Sequence, residues 1–107
     1  MKKFIRVHNG YRPIAVSTEM LRLVETYERG ESSECVTEIG IRFKYADNSI
    51  VEINFKDPKT IKILEEEAEG EGIAIKDMDN YVLKRIRNIH VQQYYEIMSI
   101  LTHLEEK

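Results

Sequence analysis

The residues able to do chemistry in this 107-residue chain are few and scattered. The histidines His8, His90 and His103 share no metal-ligand spacing. His90 falls among apolar residues at helical spacing, which predicts a satisfied core or interface histidine rather than a catalytic one. Cys35, the single cysteine, opens an alternating stretch with no base beside it, so a buried structural thiol is expected. Gly70-x-Gly72 followed by Lys76 lacks the Gly-Lys-Ser/Thr ending of a phosphate loop. Asp77-x-Asp79-Asn80 begins like a calcium loop. Val82 then stands where glycine is needed and Asn88 where glutamate is needed. Glu65-Glu66-Glu67 reads as a solvated face, because a catalytic carboxylate pair needs burial to split its pKa values. The sequence therefore predicts no catalytic residue, no metal site and no cofactor.

Two groups of basic and aromatic residues could bind anions. Lys84, Arg85 and Arg87, with Tyr94 nearby, could hold a small anion, a nucleotide or a phosphate backbone between subunits. The same charges could instead pair with Glu65–Glu71, within the chain or across a dimer. Arg42, Lys44 and Tyr45 could bind RNA or another single strand on a sheet face.

The elements that must position these residues follow from periodicity. Phe4–Val7 reads as a strand, His8-Asn9-Gly10 as a turn and Tyr11–Val16 as a second strand, with Pro13 at a sheet edge or strand start. Ser17-Thr18-Glu19 could cap a helix. Residues 20–29 fit either a helix or a strand, and a short turn followed by a strand is favoured. Cys35, Thr37, Ile39, Ile41, Phe43 and Tyr45 alternate with Glu38, Arg42 and Lys44 along a half-buried strand. After a turn at Ala46–Ser49, Val51, Ile53 and Phe55 repeat the pattern, completing an antiparallel hairpin over 35–56.

Asp57-Pro58 marks a helix start, with Asp as N-cap and Pro at the first helical position. Ile61, Leu64 and Ala68 give this helix a narrow apolar stripe. Acidic residues crowd its C-terminal turns and oppose the helix dipole, so fraying is expected towards Gly70-Glu71-Gly72. Ile73-Ala74-Ile75 reads as a connector or an extra edge strand.

The last helix shows the clearest phasing. Val82, Ile86, Ile89, Gln93, Ile97, Ile100 and Leu104 share one stripe, bordered by Leu83 and Leu101. The unbroken phase predicts one helix, on the order of 35–40 Å long at 1.5 Å rise per residue. Val91, Tyr95 and Met98 sit on a different face, which reads as an interface. The fold class is α+β: a small antiparallel sheet or partly open barrel of about five strands, a short helix and a long C-terminal helix. It forms one domain, with a β-rich unit over 1–69, a connector over 70–76 and the long helix over 77–107.

Composition narrows the class further. Apolar residues make 42% and charged residues 33% of the chain, as in an ordinary globular protein. No apolar run approaches the ~18–20 residues of a membrane span, and the basic N-terminus lacks the apolar core of a signal peptide. One cysteine permits no internal disulfide, which suits the cytoplasm. Residues 1–64 carry 11 basic and 9 acidic side chains, and residues 65–107 carry 5 and 10. A duplex-DNA binder would concentrate basic charge on one face instead.

Residues 3–64 resemble the small flagellar FlbD-like family. The shared features are Ile5-Arg6-Val7-His8-Asn9-Gly10, Pro13-Ile14-Ala15-Val16, a polar turn with Leu21, the hairpin of Ile39–Phe43 and Ser49–Phe55, and a helix start at Asp57. Asp47-Asn48-Ser49 stands where the family usually has Asn-Gly, and the tail from residue 70 has no counterpart. The resemblance implies a compact antiparallel sheet with a strand at 22–28, and no catalytic residues.

These readings predict a non-enzymatic binding protein that acts by protein contact as an adaptor or inhibitor, a class that includes small acidic phage-type inhibitors. They also predict a homo-oligomer, formed through the C-terminal helix.

Overall fold

Alternating apolar and polar residues set most of the architecture. The computed structural model describes residues 4–9, 12–32 and 35–105. Five strands come first: β1 (Phe4–His8), β2 (Pro13–Ser17), β3 (Leu21–Gly30), β4 (Val36–Tyr45) and β5 (Ile50–Asn54). Helix α1 (Pro58–Gly70), a 3-10 turn (Ile75–Asp77) and helix α2 (Met78–Glu105) follow. The expected α+β class is observed, as two separate antiparallel sheets with no closed barrel: β1-β2, and β3-β4-β5 with β4 central.

The ambiguous 20–29 stretch is strand β3, and Ser17–Glu19 leads into it through a turn instead of capping a helix. Met20 takes a left-handed φ of 60° in that turn. Gly10 and Tyr11, and with them parts of the expected first turn and second strand, lie outside the described residues.

The 35–56 hairpin forms in the expected register, with Phe43 opposite Val51 and Ile41 opposite Ile53. Its first residues differ from the sequence expectation. A β-bulge opposite Arg29 and Gly30 shifts the pairing, so Gly30 meets Val36 while Arg29 meets Glu38. The bulge reverses the pleat. Val36 is buried, whereas Thr37 and Cys35 face solvent. The expectation of a buried thiol at Cys35 is therefore wrong.

Asp57 caps α1 by accepting a hydrogen bond from the Lys59 backbone N–H at 2.8 Å, with Pro58 in the first turn. The buried face of α1 is Thr60, Leu64 and Ala68, and Ile61 is half-buried. Its C-terminus is closed rather than open. Gly72, at φ 77°, lets the Ile73 N–H reach the Ala68 carbonyl at 3.0 Å and the Gly72 N–H reach Glu69 at 3.1 Å. Ile75 lies in the 3-10 turn, 90% exposed, so 73–75 is not an edge strand.

One core joins both sheets and both helices: Val7, Ile39, Ile41, Phe43, Phe55 and Ile86 are fully buried in it. Among the described residues the two sheets share no ladder. They are tied by the Tyr45 hydroxyl, which donates to the Ser17 carbonyl of β2 at 2.8 Å, while the Ala46 N–H donates to the Met20 carbonyl at 2.8 Å and extends the β3–β4 pairing.

Candidate functional site

Helix α2 runs unbroken for 28 residues, about 42 Å at 1.5 Å per residue, through the Asn88–His90 region. The molecule's longest extent is 49 Å, so the helix spans most of it. Its inner face meets β1, β4 and α1. Val82, Ile86, His90 and Ile97 are buried, with Ile89, Tyr94 and Leu101 half-buried beside them. The stripe drifts at its end. Ile100 is 38% exposed and Leu101 turns inward in its place, which corrects the expected position of Ile100. Leu104's side chain lies outside the described residues.

His90 is where the sequence placed it, in the core. Its Nε2–H donates to the Gly40 carbonyl at 2.8 Å, and its ring meets Phe55 edge-on at 5.5 Å. Gln93, also in the inner stripe, accepts from the His8 backbone N–H at 2.8 Å through its Oε1. These two contacts seat α2 across both sheets.

The outer face carries the predicted interface residues. Val91 is 48% exposed, Tyr95 69% and Met98 37%, at i, i+4 and i+7 on the side away from the core. Nothing among the described residues covers this strip.

The predicted anion cluster is distributed among different partners. Arg85 donates to Glu67 of α1 through Nε at 3.2 Å, and Arg87 donates to Glu28 of β3 at 3.0 Å. Lys84 is exposed, and Tyr94 is half-buried with its ring 6.1 Å from that of Tyr95. Glu67 also accepts from the Tyr81 hydroxyl, so the acidic run of α1 supplies a partner to both Tyr81 and Arg85 of α2. The second basic group is also engaged. Tyr45 is buried, with its hydroxyl bonded to Ser17, and so offers no stacking face.

The outer face of the three-stranded sheet holds a constellation that the sequence did not reveal. Register places Glu25 opposite Arg42, Arg42 opposite Glu52 and Arg29 opposite Glu38. Arg42 pairs with Glu25 at 2.9 Å and with Glu52 at 2.7 Å; Arg29 pairs with Glu52 at 2.7 Å and with Glu38 at 3.0 Å. Lys44 adds a contact to Glu25 at 3.2 Å. Hydrogen bonds from Arg29 and Arg42 hold the Glu52 carboxyl below its ordinary pKa, and those from Arg42 and Lys44 do the same for Glu25.

Tyr27 lies inside this network, under the Arg29 and Arg42 guanidiniums at 4.7 and 4.8 Å from its ring centroid. Its ring covers Gly40 on the neighbouring strand. Burial, and then Glu52 and Glu38, raise the pKa of its hydroxyl, which has no hydrogen-bond partner among the described residues. The signal was present as Glu25, Tyr27 and Arg29 at period two, but it became readable only once 21–30 was known to be a strand. Every charge here is matched, so the face reads as a structural lattice. A surface depression of about 490 Å³ is lined by Leu23, Lys44, Tyr45 and Ile50 and holds none of the residues predicted on α2.

No family model, no curated protein and no solved structure matches the chain.

Proposed function

We propose that this is a small non-enzymatic binding protein acting by protein–protein contact, as an adaptor or inhibitor, and that it associates with itself through the outer face of α2. The observation that carries the reading is the strip of Val91, Tyr95 and Met98, with Tyr95 69% exposed at its centre. A large aromatic flanked by aliphatic side chains is the composition of an interface anchor. The alternative of a nucleotide or other anion held by Lys84, Arg85 and Arg87 is weaker, because the ligand must displace Glu67 and Glu28. RNA binding on the sheet is weaker too, with Tyr45 buried and Arg42 paired on both sides. No helix among the described residues is long and apolar enough to cross a membrane. A cytoplasmic setting suits a chain with one cysteine.

Sedimentation velocity from low to high micromolar concentration tests the proposal. The parent should associate. Tyr95→Asp and Val91→Asp should sediment as monomers with unchanged helical circular dichroism. A parent that stays monomeric throughout, with variants that change nothing, would refute it.

A further inference from the structure

The exposed strip belongs to a longer pattern. Lys84, Asn88, Val91, Tyr95, Met98, Thr102 and Glu105 recur along α2 at alternating steps of four and three residues, the spacing of a single helix–helix seam. The positions from Lys84 to Thr102 are exposed, and Glu105 takes the next register position. The seam is close to palindromic. Tyr95 sits at its centre, an aliphatic residue lies on either side, a small polar residue lies beyond each, and the ends carry opposite charges. The Thr102 hydroxyl donates to the Met98 carbonyl of its own helix at 2.8 Å, so this position makes no polar demand on a partner.

Resting on the binding reading above, we infer that the occupant of this face is a second copy of the chain, packed antiparallel about a two-fold axis at Tyr95. Reversal about that residue sets Val91 against Met98, Asn88 against Thr102 and Lys84 against Glu105, each pair formed twice by symmetry. Parallel packing would instead stack Lys84 on Lys84 and Glu105 on Glu105. The charge order along the helix thus selects the antiparallel arrangement. Three apolar residues per copy make a small interface, and association in the micromolar range is expected.

Cysteine cross-linking of the full chain in a Cys35→Ser background tests the geometry, with circular dichroism confirming that each variant is folded. Tyr95→Cys should give a disulfide-linked dimer by itself. Asn88→Cys and Thr102→Cys should cross-link when mixed and not alone. A charge pair provides a second readout. Lys84→Glu should weaken association roughly tenfold, because symmetry repeats the change. Adding Glu105→Lys should restore it. Self-linking of Asn88→Cys would show a parallel dimer and overturn the inference while leaving the binding face intact. A dimer that forms none of these links would place the interface elsewhere. A strict monomer would overturn both the inference and the reading beneath it.

Discussion

Gly40 in β4 is the position where the smallest change should do the most damage. A β-carbon there would lie 2.4 Å from the Ile53 carbonyl oxygen and 2.5 Å from both the Cζ and the hydroxyl oxygen of Tyr27. The tyrosine ring is in contact with two guanidiniums and cannot swing away freely. The carbonyl belongs to the backbone of β5. Relief requires β4 and β5 to separate by about 1 Å, against a normal strand spacing of about 4.8 Å. Overpacking alone costs about 1–3 kcal/mol. Each neighbouring ladder hydrogen bond lost adds about 0.5–1.5 kcal/mol. Gly40→Ala should therefore cost about 2–4 kcal/mol, lowering Tm on the order of 10–20 °C in a chain of this size.

The assay is thermal unfolding followed by circular dichroism, with Gly70→Ala as the control. A β-carbon at Gly70 meets nothing within 4 Å, and the residue is helical. The control should gain up to about 0.5–1 kcal/mol, because alanine is the better helix former. The same substitution should thus have opposite signs at the two sites. A Gly40→Ala protein melting as the parent does would refute the close approach of β5 and Tyr27 to Gly40.

Three further outcomes are expected. Tyr45→Phe removes the hydroxyl link to Ser17 between the sheets and should cost about 0.5–1.5 kcal/mol in urea unfolding, so an unchanged midpoint would deny the link. Glu25 and Glu52 have lowered pKa values, so their stabilisation is complete above about pH 4.5 and is lost as pH falls through those lowered values. The Tm gap between parent and Glu52→Gln should therefore close on acidification, and a constant gap down to strongly acidic pH would count against the network. Cys35 is exposed and should react with a thiol reagent as completely in the native protein as in the unfolded one, whereas a requirement for denaturant would contradict its placement outside the core.

What the sequence disclosed was what local periodicity encodes. The β4–β5 hairpin, the Asp57 cap, and the division of α2 into a core side with His90 and an outer side with Tyr95 all follow from side-chain spacing within one element. What it hid depends on relations between elements. The burial of Val36 in place of Cys35 results from a bulge set by the register with β3. The exposure of Ile100 reflects a core that at this end of α2 takes in Ile97 and Leu101 instead. The Arg29–Glu52–Arg42 chain needs three strands aligned before its members become neighbours, since Arg29 and Glu52 are 23 residues apart. Pairing of the basic residues of α2 with the acidic run of α1 was legible and is met by Arg85 and Glu67, whereas the partner of Arg87, Glu28, sits on β3 and was not.

The seating of α2 also bears on the order in which the chain can reach its native state. Its two polar anchors join residues 50 and 85 positions apart, His90 to Gly40 and Gln93 to His8. Closing such distances costs chain entropy before any contact offsets it. The β4–β5 hairpin, joined by a short turn, can form early. The apolar side of both sheets then waits, uncovered, for a helix encoded at the far end of the sequence. Docking of α2 should therefore be the late step, and β1–β2, which relies on it for cover, should mature with it. Core truncations such as Ile86→Ala or Ile97→Ala should mainly accelerate unfolding, and truncations at Ile41 or Phe43 should slow folding.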